Sequence, residues 1–423
     1  MTGPGLDLPG IPAALPALLL QAAGGSRLAL VGGAVRDLLL HRVHNDPWRG
    51  LPDLDLVVEG AAADLVRRLQ ALPQATVVAA QEHGAYGTVE LELRLDEQPV
   101  LLDVATARCE TYPQLGENPV VRFGTLDDDL ARRDFTINAM ALVLNPGGGE
   151  DSGGAPELLD PHGGQRDLQQ RQLRFLHPGS VADDPTRLVR GARYAARLGF
   201  VLAPEACQQA QQTLQAWPWS WRPGDAPALA PSALGTRLRM ELELLLAREP
   251  WPQALTALQH WGALALLDAA LQADRGWCRR LRWAAHLQLP LLPALLAGAG
   301  DPLALAERLQ LPHRHHRLLA QWLELRRRWQ DLGCNRHGWC AADWCQWLEA
   351  PGLAPEAVAL ELACGRSAWL PRRPLLRWWL RWRHFKAPQT AAQLMAAEGL
   401  RPGPALGERL RQLRGQRLAG ERL

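Results

Sequence analysis

Lysine is almost absent from this 423-residue chain: 45 of its 46 basic residues are arginine, and Lys386 is the exception. Such uniformity reflects genome composition, so the choice of arginine itself carries no functional weight. Cysteine is sparse too. The seven cysteines (109, 207, 278, 334, 340, 345 and 364) are odd in number and widely spread, with no CxxC pair. They exclude a disulfide framework and point to a reducing compartment. His337 lies among Cys334, Cys340 and Cys345 at spacings that match no zinc site. The run His313-Arg-His315-His316 reads as a solvated or RNA-facing turn rather than a metal site. Long apolar runs are missing as well: the most apolar tract, Leu287–Gly300, is broken by Pro290 and Pro293 and is too short to span a bilayer. The N-terminus has Asp7 where a signal peptide would carry positive charge. The expectation is a soluble, cytoplasmic protein with no membrane partner.

What is present describes a globular chain. It is 47% apolar and 21% charged, which excludes extensive disorder, and its length sets a prior of roughly two to four domains. The net charge of +2 conceals a division. Residues 1–200 carry 18 basic and 26 acidic residues, a net −8, and residues 201–423 carry 28 and 18, a net +10. An acidic front and a basic rear suggest chemistry in one part and a polyanion held by the other.

The first 145 residues alternate strand and helix signals. Leu28–Val31 reads as a short buried strand entering Gly32-Gly33, with Val35, Leu38 and Leu39 at helical spacing behind it. Asp53–Val58 reads as a strand and Ala61–Leu72 as an amphipathic helix. Thr88–Leu95 alternates cleanly, with Val89, Leu91, Leu93 and Leu95 facing in, and Val100–Ala105 follows as its neighbour. Gly147–Gly154 reads as a surface loop. From Asp183 onward the pattern is helical, and 16 of the 17 tryptophans lie beyond residue 200. The stretch 217–231 is rich in Trp and Pro and reads as a linker or insert. Residues 366–423 hold thirteen basic and three acidic residues, which suits contact with a phosphate backbone. Trp369, Trp378, Trp379, Trp382 and Phe385 lie in this segment, mostly as core.

The chemistry concentrates in a few places. Paired glycines between a strand and a helix, as at Gly32-Gly33, let backbone N–H groups approach phosphate oxygens, and Arg36 adds charge in the first turn. Asp53 and Asp55, two apart on a strand, point to one face. Adjacent carboxylates repel unless cations lie between them, and two Mg²⁺ ions would supply that relief, activate a hydroxyl and steady a leaving pyrophosphate. Asp103 lies between apolar neighbours on its strand and reads as buried, either as a third carboxylate of this site or as the partner of Arg108. In Asp184-Pro-Thr-Arg187 the three-residue spacing places carboxylate and guanidinium on one helix face.

Together, Gly32-Gly33-Ala-Val-Arg36-Asp37, Asp53-Leu-Asp55, Arg132-Arg133-Asp134-Phe-Thr-Ile-Asn138-Ala and Asp183-Asp184-Pro-Thr-Arg187 resemble the class II tRNA nucleotidyltransferase/poly(A) polymerase family. The resemblance runs through residues 28–200 and weakly through 231–267. It implies an α+β fold: a small mixed-sheet, polymerase-β-like head (1–145), a base-recognising neck (146–216), and beyond 217–231 an all-α region with a helical body (232–365) and a basic, tRNA-binding tail (366–423). It implies that Gly32, Gly33 and Arg36 hold the triphosphate and that Asp53 and Asp55 carry Mg²⁺. Arg133, Asp134 and Asn138 would contact ribose and phosphates. Asp184 and Arg187 would hydrogen-bond the base edge, braced by Arg190 and Arg193.

The implied activity is addition of CMP and AMP to the tRNA 3′ end from CTP and ATP, with the tail gripping the acceptor and TΨC arms. Narrower alternatives are CC addition, A addition or poly(A) synthesis, and another class is a non-catalytic RNA-binding relative. The chain departs from the pattern in two places: Asp183 stands where the family usually has Glu, and residues 41–51 form an insertion beside the site. Residues 113–125 would be the flexible loop used in switching to ATP.

Overall fold

The computed structural model describes residues 9–50, 53–84, 86–95, 97–145, 156–333, 338–365 and 370–421. The glycine-rich stretch 147–154, Cys334, His337 and Trp369 lie outside them. The chain parts into two compact units. One comprises residues 1–220, 231–233 and 247–263, and the other residues 221–230, 234–246 and 264–423.

Nine strands of the first unit lie within residues 28–159. They are β1 (Leu28–Val31), β2 (Leu54–Val58), β3 (Thr76–His83), β4 (Thr88–Leu95), β5 (Gln98–Thr106), β6 (Arg108–Thr111), β7 (Val120–Phe123), β8 (Ala141–Val143) and β9 (Glu157–Leu159). Seven form one mixed sheet in the order β3-β4-β5-β2-β1-β8-β9, with β2 and β5 parallel and the other neighbours antiparallel. The apolar run Leu-Ala-Leu-Val of β1 is buried at every position, as an interior strand covered on both faces requires. On β4 the expected alternation holds: Val89, Leu91, Leu93 and Leu95 are buried.

Helices α1 (Leu15–Ala23), α2 (Gly33–Arg42) and α3 (Ala62–Gln70) come next. α3 buries Leu65 and Leu69 on one stripe. α4 (Leu126–Ala131) starts at a capping box formed by Thr125 and Asp128. α5 (Gly164–Gln170), α6 (Ser180–Asp183), α7 (Thr186–Leu198) and α8 (Pro204–Ala216) complete the sequence that bears on the site.

Of the expected loop 113–125, residues 113–119 connect β6 to β7 and residues 120–123 are β7 itself; the two strands pair as an antiparallel hairpin, Arg108 opposite Phe123 and Thr111 opposite Val120. Its tip is held too, since Gly116 N–H donates to the Asp183 carbonyl and accepts at its own carbonyl from Ala233 N–H. The stretch 217–231, expected as a linker or insert, buries Trp219 and Trp221, and Trp219 Nε1 donates to the Ala182 carbonyl. His313–His316 is not a turn but opens the helix His313–Asp331, with Pro312 just before it.

The second unit is helical among its described residues. Pro355–Cys364 buries seven consecutive residues, Ala357–Ala363, at its centre. Its Glu361 is buried and accepts from Trp322 Nε1 and Arg326 Nε, so the charge is paired. Trp329 and Trp344 stack with centroids 5.3 Å apart, and Trp378 and Trp382 join the same core, as expected of aromatic residues at helical spacing. No helix among the described residues is long and apolar enough to cross a membrane.

Candidate active site

The sheet register lays a row of acidic residues across three strands. Asp55 pairs with Asp103, and Asp103 pairs with Glu90; residues opposite one another share a face. Asp53 immediately precedes β2 and, two residues from Asp55, points the same way. Asp103 is exposed, and Leu102 and Val104 take the buried face of β5, so the expectation of a buried Asp103 is corrected by the two-residue period of the strand. Its alternative partner is elsewhere, since Arg108 donates to Glu110 and to the Tyr86 carbonyl. Glu90, which no motif had marked, joins the row through pairing alone.

A cavity of about 300 Å³ has Asp55, Glu90, Asp103, Arg108, Arg132 and Arg133 in its wall. Burial, opposed by Arg133 and reinforced by Asp103 and Asp53, pushes the Asp55 carboxyl up to about 6. Burial, Glu90 and Asp53 likewise raise Asp103, against His83. These are carboxylates short of positive charge, the condition a divalent cation relieves. Among the described residues no group of three or more His, Cys, Asp or Glu side chains is arranged to hold a metal by itself. Asp53 and Asp55 fit a divalent cation held through one or two carboxylates, with water and substrate oxygens completing the shell.

The other wall is organised by one buried anion. Asp129 is fully buried on α4, and its Oδ1 accepts from Arg132 Nε and Nη2 while its Oδ2 accepts from Arg133 Nε and Nη2. Burial works against its charge, but Arg133 and Arg132 outweigh it and hold the carboxyl below its usual range. Sequence reading passed over Asp129, although its i+3 and i+4 spacing to the two arginines was a usable signal.

Gly32 caps α2 at φ +70°, where a side chain is strained, and Gly33 starts the helix. Arg36 differs from its expected role. It is buried, 4% exposed, and donates to Asp37 Oδ1 and Asn138 Oδ1, so it braces Asn138 from below. Asn138 Nδ2 donates in turn to Asp134 Oδ1, and Arg190 Nε donates to Asp134 Oδ2. The structure thus gathers Arg36, Asp134, Asn138 and Arg190. It turns Arg193 elsewhere, to Glu249.

A second cavity, of about 350 Å³, is lined by Glu110, Tyr112, Arg132, His177, Asp183 and Arg187. Arg132 is common to both. Arg187 is 2% exposed, and its guanidinium carbon lies 5.9 Å from the centroid of the Tyr112 ring. Asp184 is turned inward, its Oδ1 accepting from the Thr186 N–H and hydroxyl and its Oδ2 from Arg190. It is Asp183, beside it, that lines the cavity. Tyr112, pushed up to about 12 by burial and by Glu110, donates its hydroxyl to Glu110. Tyr112 and His177 belong to no spaced motif, and nothing in the sequence marked them.

Comparison with known proteins accounts for this arrangement. Residues 28–174 match the poly A polymerase head domain. The chain is 38% identical over 413 residues to a CC-adding tRNA nucleotidyltransferase of Deinococcus radiodurans, covering 95% of this chain and 87% of that one. The chain belongs to the tRNA nucleotidyltransferase/poly(A) polymerase family. A CC-adding tRNA nucleotidyltransferase of Geobacter sulfurreducens is 31% identical over 460 residues, covering 97% of this chain and 93% of that one. The fold agrees with a solved CCA-adding enzyme at a TM-score of 0.68 and 23% identity, covering 98% of this chain and 94% of the other. This member of the family is an enzyme that transfers nucleotidyl groups, and the expected α+β head with a helical C-terminal region is its fold.

Proposed function

We propose that this nucleotidyltransferase builds the 3′ CCA end of tRNA from CTP and ATP. The observation that carries the reading is the placement, within one compact unit, of the Asp53/Asp55 strand and a base-sized cavity that share Arg132. Asp53 and Asp55 would hold Mg²⁺, which supplies charge neutralisation at the phosphates and a more acidic 3′-hydroxyl. The backbone of Gly32 and Gly33 binds phosphate oxygens at the start of α2, and Arg133, fixed by Asp129, faces them. Asp134 and Asn138, held by Arg36 and Arg190, receive the ribose. Arg187, and Asp184 once it is released from Thr186 and Arg190, would read the base edge with complementary donors and acceptors, so protein replaces a nucleic-acid template. The tRNA 3′-oxygen forms the new bond to the α-phosphorus, and the bond to the β-phosphate oxygen breaks, releasing pyrophosphate. Asp103 faces the same cavity and is the third carboxylate of the set.

The helical tail would take the acceptor and TΨC arms through phosphates and shape. There Arg383 stacks 3.6 Å from the centroid of Trp379, and Leu380 is exposed beside it. A cytoplasmic location fits this substrate.

A narrower reading, addition of CC only, is favoured by one observation: the two relatives named above, each matched along more than nine-tenths of this chain, are CC-adding. Labelled CTP and ATP, singly and together with Mg²⁺, on tRNAs ending before CCA, after C and after CC, separate the two. Completion of all three ends supports CCA addition, and arrest at CC supports the narrower reading. No incorporation on any of them, with tRNA still bound, would overturn both.

A further inference from the structure

His177 is placed to control Arg187. Its Nε2 lies 3.4 Å from Arg187 Nη1 and 3.7 Å from Asp183 Oδ2, and all three residues line the second cavity. Asp183 makes no ion pair with Arg187 itself, and with Nε2 accepting from Arg187 its carboxylate is a neighbour of the ring and not its hydrogen-bond partner. The rest of the guanidinium is sparsely held: Nη2 donates to the Arg132 carbonyl, Nη1 reaches the Ser180 carbonyl at 3.4 Å, and the buried Nε–H has no acceptor. An arginine with an unsatisfied buried donor is a costly arrangement unless a ligand completes it.

The ring is well anchored for such a role. The His177 carbonyl accepts from Gln209 Nε2 and from Ser180 N–H, which fixes the backbone from two directions. Only a neutral ring, protonated at Nδ1, leaves the Nε2 lone pair free to accept from Arg187. Burial and the neighbouring Arg187 hold the imidazole below its usual range, against Asp183, and so favour that neutral form.

We propose that His177 is a positioning residue for base selection, its Nε2 lone pair fixing the Arg187 guanidinium, so that Arg187 offers a single donor edge to the incoming pyrimidine or purine. This rests on the reading of Arg187 as a base-contacting side chain.

The test compares His177→Leu, which removes the acceptor, with His177→Gln, whose amide oxygen replaces Nε2. Steady-state CMP addition and UMP misincorporation are measured, with thermal melting as a control on folding. The expected result for His177→Leu is a KM for CTP raised about tenfold, the worth of one hydrogen bond to a charged group, with kcat little changed and UMP misincorporation increased. His177→Gln is expected to restore both. Equal behaviour of the two variants, or a loss confined to kcat, would overturn the proposal. Arg187→Ala tests the underlying reading by itself: unaltered nucleotide selection in that variant rejects Arg187 as a base reader whatever His177 does.

Discussion

Gly32 and Arg133 approach so closely that a methyl group on residue 32 would lie 3.0 Å from Arg133 Nη1, and it would also come within 3.2 Å of Asp55 Oδ2. The glycine therefore keeps open the space between the arginine and the carboxylate. Gly32→Ala is expected to reduce nucleotide incorporation by about 100-fold through misplacement of these groups. The positive φ at residue 32 adds a stability cost of about 1–3 kcal/mol. Incorporation assays and thermal melts on the same preparation check the two effects separately.

Asp55→Asn should abolish incorporation without destabilising the protein. Burial, with Asp103 and Asp53, disfavours the carboxylate by more than Arg133 favours it, so a neutral isostere relieves more repulsion than it loses in attraction. The melting temperature in EDTA is expected to equal or exceed that of the parent. Added Mg²⁺ with CTP should raise the melting temperature of the parent, because ligands that bind the folded state stabilise it, and leave the variant unmoved. A variant melting well below the parent in EDTA would contradict this account.

Asp129→Ala has the opposite signature. Removing it leaves two arginines, partly buried, without their shared partner, and the expected destabilisation is about 3–5 kcal/mol. Denaturant unfolding measures it. Activity should fall together with stability, in contrast to Asp55→Asn.

The insertion at 41–51 is tied down by an ion pair that acid should release. Arg171 Nη1 and Nη2 donate to the two oxygens of Asp46, and that hydrogen bonding, against burial, holds the Asp46 carboxyl below its usual range. Its folded pKa is thus lower than its unfolded one, near 4. The stabilisation is complete above the unfolded value and is lost as pH falls through the folded one. Exchange protection over residues 43–50, taken relative to the intrinsic amide rate at each pH, should be unchanged between neutral pH and about pH 5 and fall below about pH 4. Arg171→Leu should lower it above that range.

The parts of the site legible in the sequence are those encoded locally. Gly32-Gly33, Asp53 with Asp55, and Arg132 through Asn138 declare themselves within a few residues, because a strand–turn–helix and a two-residue strand period are short-range properties. Strand β3 was not legible, because an edge strand with nearly every residue at least partly exposed shows no apolar alternation. The inward turn of Arg36 was hidden for another reason: its partner Asn138 is 102 positions away. Tyr112 and His177 meet across one cavity from the hairpin and from the segment before α6, and each alone is an ordinary residue in its own stretch. The exposure of Asp103 was available from the alternation of β5, and its apolar flanks concealed it.

The hydrogen bond from Gly116 N–H to the carbonyl of Asp183 joins the hairpin tip to the cavity wall through main chain alone. Substitution at Asp183 leaves that seam intact, whereas at Gly116, which has φ +80°, an added Cβ would lie 2.9 Å from Trp219 Cδ1 and strain it. A nucleotide that displaces Asp183 outward must drag the hairpin tip with it, and an insertion that shifts the tip must re-aim Asp183. The hairpin tip and the wall at Asp183 are thus mechanically one piece in this protein.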